Sequence, residues 1–215
     1  SDRCTGRLGP QPIIPMAKPA WYAHTTWADT DRAEFFARLH AVAGANEQAA
    51  CLRKQAAHLL KAHTQETMHG ARELYELLLA QFPESSDLAY VHTALGEVLE
   101  ETAEEEALDA YRAALVTQSS TTRSTDAHFR FGLLVIRAQR TDLFAEAQRH
   151  LDADSRPLVY PLDQYRRCGI AAHLAAARGE RVKATLYARD ALTATRHVAV
   201  DGSTAFHTRL EEWAG

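Results

Sequence analysis

The sequence predicts an all-α protein built from antiparallel helix pairs, and three observations lead to this class. Alanine, leucine, glutamate and arginine dominate the 215 residues, and these residues are strong helix formers. From Asp31 onward apolar residues recur at the helical period, whereas no segment has a convincing period-two strand pattern. Polar, proline-containing or glycine-containing breaks separate the periodic segments, so the helices follow one another in pairs.

The first predicted helix carries Phe35 and Leu39 on one face, follows an N-cap at Asp29 or Thr30, and ends at Gly44. The next two run over about 47–63 and 67–81, and Pro83 ends the third because proline cannot continue a helix. Later helices are expected around the apolar stripes of 88–99 and 107–115, over 128–139, 143–151, 164–178 and 181–197, and after a cap at Ser203.

Three regions are expected along the chain. Residues 1–30 form an N-terminal extension, partly disordered or extended, since residues 1–15 have three prolines, two glycines and no periodicity. Residues 31–200 form the helical domain. Residues 201–215 form a C-terminal capping helix, whose Phe206, Leu210 and Trp213 share one face that can cover Leu186 and Leu192.

The second helices of three pairs repeat one pattern of small and apolar residues at offsets zero, four, seven and eight. The three copies are Ala71, Tyr75, Leu78 and Leu79; Ala107, Tyr111, Ala114 and Leu115; and Ala184, Ala188, Ala191 and Leu192. These offsets place four side chains on one helical face, with small residues where a partner helix crosses. Such internal repetition indicates an array of helix pairs.

This pattern resembles the tetratricopeptide repeat (TPR) family over about residues 47–195. Matching positions are Gly96 and Gly132 within first helices, Gly179 in the turn before Ala184, and Pro83 twelve residues after Ala71. The chain departs from the family in lacking the first-helix tryptophan, and its Gly96-to-Ala107 interval is one residue short. The resemblance implies helix pairs stacked as a right-handed α-α superhelix.

The resemblance also implies a non-catalytic function, in which the first helices line a groove that binds a protein or peptide partner. By register with Gly96, Gly132 and Ala184, the groove positions are Tyr90, Thr93, Glu97, Glu100, Phe129, Arg130, Leu133, Arg137, Arg166 and His173. Thr93 and Glu97 do not match the Lys/Asn clamp of the chaperone-binding members, so chaperone tails are not the expected partner. The groove is expected to be acidic at one end and basic at the other, which would orient the partner.

No catalytic, metal or cofactor site is expected. The eleven histidines include no HExxH motif, and the spacings of His58, His63 and His69 do not place them on one helix face. GxSxG, P-loop and GxGxxG patterns are absent. An enzyme whose site is assembled from dispersed His and Glu is an alternative hypothesis.

Charge and cysteine usage limit the choice of partner and compartment. The net charge of −4 and the lack of a long apolar run argue against nucleic acid and membrane as partners. Nine acidic residues and no Lys or Arg lie between Glu84 and Asp109, which suggests an immunity or antitoxin-like inhibitor as a further alternative. The odd number of widely spaced cysteines favours the reducing cytoplasm.

Overall fold

The computed structural model of the chain describes residues 20–119, 124–196 and 204–215. Its α-helices are α1 (Asp29–His40), α2 (Ala45–Ala62), α3 (Gln65–Gln81), α4 (Leu88–Leu99), α5 (Glu104–Ser119), α6 (Ala127–Arg137), α7 (Phe144–Ala153), α8 (Pro161–Ala177), α9 (Arg181–Ala194) and α10 (Thr204–Ala214). A 3-10 turn precedes α7, and these ranges contain no strand, which confirms the all-α class. The expectations for residues 1–19 and for the cap at Ser203 lie outside the described residues.

Consecutive helices pack as pairs, and the pairs stack on one another. The pairs are α2 with α3, α4 with α5, α6 with α7, and α8 with α9. The second helix of each of the first three pairs packs against the first helix of the next pair. None of the described helices is both long and apolar enough to pass through a bilayer.

The repeated faces of the second helices form the buried seams between helices. In all three copies the first three positions of the pattern are no more than 2% exposed. Gly96 shows why a small residue is needed opposite such a seam. A Cβ atom at Gly96 would lie 2.7 Å from Cζ of the fully buried Tyr111, so α4 and α5 approach closely there because Gly96 has no side chain.

Arginine–glutamate pairs join successive second helices. Arg72 of α3 donates from Nη2 to Glu106 of α5 at 2.9 Å. Arg112 of α5 donates from Nε and Nη2 to the two carboxylate oxygens of Glu146 in α7, both at 2.8 Å. The partners are 34 residues apart in both cases, so successive pairs are related by the same sequence interval.

The helical body begins before residue 31, the expected domain boundary. Trp27 is 6% exposed and packs edge-on against Phe35 of α1, with ring centroids 5.6 Å apart. Its backbone N–H donates to Glu66 of α3 at 3.2 Å. Helix α1 begins at Asp29 with Ala28 as its N-cap, one position earlier than the caps expected from the sequence.

Helix α10 packs against the last pair, but its contacts differ from those expected of the capping helix. Leu210 is fully buried, and Phe206 lies over Gly169 of α8, where an added Cβ would be 2.6 Å from the Phe206 ring. Leu192 packs against this cluster, whereas Leu186 is 55% exposed, so the expected contact with Leu186 is wrong. Helix α10 packs mainly against α9 and approaches α8 closely at Gly169, and Leu186 does not belong to this contact.

Candidate binding groove

A continuous groove crosses the first helices of the first three pairs. It consists of three adjoining depressions of about 440, 420 and 300 Å³, which we call the α2–α4–α6 groove. The first and second depressions share Leu60, Tyr90 and Glu97. The second and third share residues 124–126, which precede α6. The groove ends at the 154–160 loop between α7 and α8.

Tyr90 is the main aromatic residue of the middle depression. It lies in the first turn of α4 and is 41% exposed. The guanidinium of Arg53 in α2 lies 5.5 Å from the centre of its ring, and Arg53 also pairs with Asp87 at 2.9 Å. A cation over one side of the ring restricts its motion, so Tyr90 presents a partly fixed aromatic surface to the groove.

Ion pairs between α4 and α6 form the wall of the groove. Glu97 Oε1 lies 2.7 Å from Arg130 Nη2, and Glu100 Oε2 lies 2.9 Å from Arg137 Nη2. The hydroxyl of Tyr111 donates to the other oxygen of Glu100. Burial raises the pKa of Glu97, and Arg130 opposes this shift. These pairs hold α4 and α6 in register and leave both carboxylates with a cation of the same chain.

The groove does not divide into an acidic end and a basic end as expected, because Glu97 and Glu100 lie beside Arg130 and Arg137. Seven of the nine acidic residues between Glu84 and Asp109 lie within 4 Å of an arginine side chain. They are Asp87, Glu97, Glu100, Glu104, Glu105, Glu106 and Asp109. Few carboxylates of this segment are therefore left uncompensated for a basic partner.

The third depression lies beside the 154–160 loop. Val159 and Tyr160 are 76% and 69% exposed there. Behind them, Nε2 of His128 lies 3.1 Å from Oδ2 of Asp154, and Arg156 also pairs with Asp154. Burial lowers the pKa of His128 to about 4, despite the opposing effect of Asp154. The imidazole is therefore neutral at physiological pH.

The predicted groove positions fall into three groups. Tyr90, Glu97, Glu100 and Arg130 line the groove, and Arg137 and Arg166 reach it through ion pairs with Glu100 and Asp126. Thr93 and Phe129 also line it but are 4% and 3% exposed, and Leu133 packs against the core. Thr93, Phe129 and Leu133 therefore lie beneath the groove surface and offer little exposed area to a partner.

His173 does not belong to the groove. Its ring stacks on Phe206 of α10 at a centroid distance of 4.5 Å, and Trp213 packs edge-on against it at 4.7 Å. Its Nδ1 lies 2.9 Å from the carbonyl oxygen of Gly169. Helix α10 therefore covers the predicted groove position on α8.

Sequence reasoning missed the two ends of the groove. Arg53 and Leu60 of α2 line it, but α2 has no glycine from which a register could be set. Val159 and Tyr160 follow a proline in a segment that reads only as a loop. The exposed aromatic and β-branched residues beside that proline are the one sequence signal that could have identified the second end.

Three features of the described residues bear on metal binding and catalysis. None of them form a group of three His, Cys, Asp or Glu side chains that could hold a metal ion. His128 lies beside Asp154, but it is 1% exposed and cannot reach a substrate. Burial raises the pKa of the free thiols Cys51 and Cys168, which disfavours the nucleophilic thiolate.

No protein-family model, no curated protein and no solved structure matches the chain.

Proposed function

We propose that this protein is a non-catalytic, TPR-like helical-repeat scaffold that binds an extended segment of a protein or peptide partner in the α2–α4–α6 groove. The observation that supports this most is the alignment of three adjoining depressions across α2, α4 and α6, with Tyr90 exposed in the centre. A long shallow groove suits a chain segment better than a compact small molecule, which needs an enclosing pocket.

Two features support the TPR-like arrangement. The helix pairs pack second helix to next first helix along the chain. The Arg72–Glu106 and Arg112–Glu146 pairs have an interval of 34 residues, which is the repeat length of the TPR family. In such arrays the first helices form a continuous binding surface.

The free thiols of Cys51 and Cys168 suit a cytoplasmic location, which we include in the proposal.

The binding mechanism is burial of the partner segment on a preformed surface. The ion pairs Glu97–Arg130 and Arg53–Asp87 exist without a partner, so the groove walls need little ordering on binding. Preorganisation lowers the entropy cost of association, and the buried tyrosine surface then contributes the affinity.

Selection of binders from a random display library of unbiased extended peptides tests this function. Tyr90→Ala should lower the affinity for the selected peptides by about 5- to 30-fold, which is the effect of losing an aromatic hot spot. Tyr187→Ala is the matched control, because Tyr187 is also partly exposed, at 37%, but lies on α9 away from the groove. Failure to select any binder, or equal loss in both variants, would contradict the proposal.

A further inference from the structure

We propose that the partner segment is an uncharged, proline-rich stretch in the polyproline II conformation, with prolines stacked on Tyr90 and Tyr160. This inference rests on the proposed function and specifies the chemistry of the partner. It follows from the charges of the groove, from its exposed residues, and from its length.

The charged groups that line the groove between Tyr90 and Tyr160 are already paired within the chain. Each of the pairs Arg53–Asp87, Glu97–Arg130 and Glu100–Arg137 has its closest N–O distance below 3 Å, and Arg166 lies 3.6 Å from Asp126. A charged partner side chain would have to compete with these intramolecular pairs and lose its own hydration. The part of the groove between Tyr90 and Tyr160 therefore gives little net attraction to a charged segment of either sign.

The groups left for a ligand are aromatic, aliphatic and hydroxylic. Tyr90 and Tyr160 are 41% and 69% exposed, and Val159 beside Tyr160 is 76% exposed. The side chains of Ser86 and Ser124 line the middle depression and are exposed. Polyproline II segments have no internal hydrogen bonds, so their carbonyls can accept from hydroxyls while their rings pack on aromatic residues.

The separation of the two tyrosines sets a minimum ligand length. Tyr90 belongs to α4 and Tyr160 directly precedes α8, so two helix-to-helix steps separate them, with α6 between. At 8–10 Å a step, the span is roughly 20 Å. A polyproline II chain rises about 3.1 Å per residue, so about six residues must lie between the two contacts.

Uncharged, end-blocked oligoprolines test the proposal by calorimetry or fluorescence anisotropy. Decaproline should bind at least about tenfold more tightly than tetraproline, which can reach only one tyrosine, and a blocked Gly-Ser decapeptide should not bind. Tyr90→Ala and Tyr160→Ala should each lower the affinity for decaproline by at least about fivefold, whereas Tyr187→Ala should leave it unchanged. A tenfold rise in salt should change the dissociation constant by less than about twofold, since no charges are bridged.

The outcomes separate this inference from the proposed function. If display peptides bind through Tyr90 but are enriched in charged residues, or if decaproline binds no better than tetraproline, the proline-rich partner is wrong and the groove function stands. If neither display peptides nor decaproline bind, both proposals are wrong. Circular dichroism of each variant confirms that a loss of binding is not a loss of fold.

Discussion

The buried imidazole of His128 should make the protein sensitive to mild acid. His128 is 1% exposed, and burial lowers its pKa from 6.5 to about 4, with Asp154 opposing the shift. Between these two pH values the unfolded chain binds a proton that the folded chain excludes. Stability is therefore fully present above about pH 6.5 and is lost as the pH falls toward about 4.

The magnitude follows from the shift. At about 1.4 kcal/mol for each pH unit, a pKa that falls from 6.5 to about 4 corresponds to roughly 3 kcal/mol for the complete titration. Between about pH 7 and pH 4.5 the loss from His128 alone is roughly 2 kcal/mol, because the folded form begins to take up the proton near the lower limit. Burial also lowers the pKa of His92, His150 and His173, which act in the same direction.

Urea unfolding at several pH values, followed by circular dichroism, measures this contribution. His128→Gln removes the titrating group. Across the same pH range, the free energy of unfolding of this variant should therefore fall by roughly 2 kcal/mol less than that of the wild type. His40→Gln is the matched control, because His40 lies exposed at the end of α1. Equal pH dependence in wild type and His128→Gln would refute the reasoning.

Three further predictions concern stability. Gly96→Ala should lower the free energy of unfolding by about 1–3 kcal/mol, because its Cβ would overlap the Tyr111 ring; an unchanged urea midpoint would mean that α4 and α5 do not approach as described. Gln139→Gly should raise the melting temperature, with a gain of up to about 1 kcal/mol, because Gln139 has φ of 54° at the end of α6; a lower melting temperature would contradict this. Truncation after residue 201 removes α10 and uncovers Gly169 and its neighbours, so it should lower the melting temperature and promote self-association; a monomeric and equally stable truncated protein would show that α10 is no cap.

The sequence alone predicted the features that depend on local periodicity. The helices, their pairing and the buried faces of Ala71, Ala107 and Ala184 could be read directly, because a side chain's place on a helix face follows from its spacing along the chain. Gly96 and Gly132 set the register from which Tyr90, Glu97 and Arg130 were predicted as groove positions, and these three residues line the α2–α4–α6 groove.

The tertiary structure decided which predicted groups remain available to a partner. Whether a carboxylate in an acidic segment is paired with a cation depends on which side chain of the next helix pair lies beside it. Glu97, for example, pairs with Arg130, which is 33 positions away in the chain. The covering of His173 by α10 and the addition of Tyr160 to the groove depend in the same way on how distant segments pack. Short-range periodicity fixes the face on which a side chain lies, but neutralisation and burial depend on contacts between residues far apart in sequence, and these form only when the helix pairs stack.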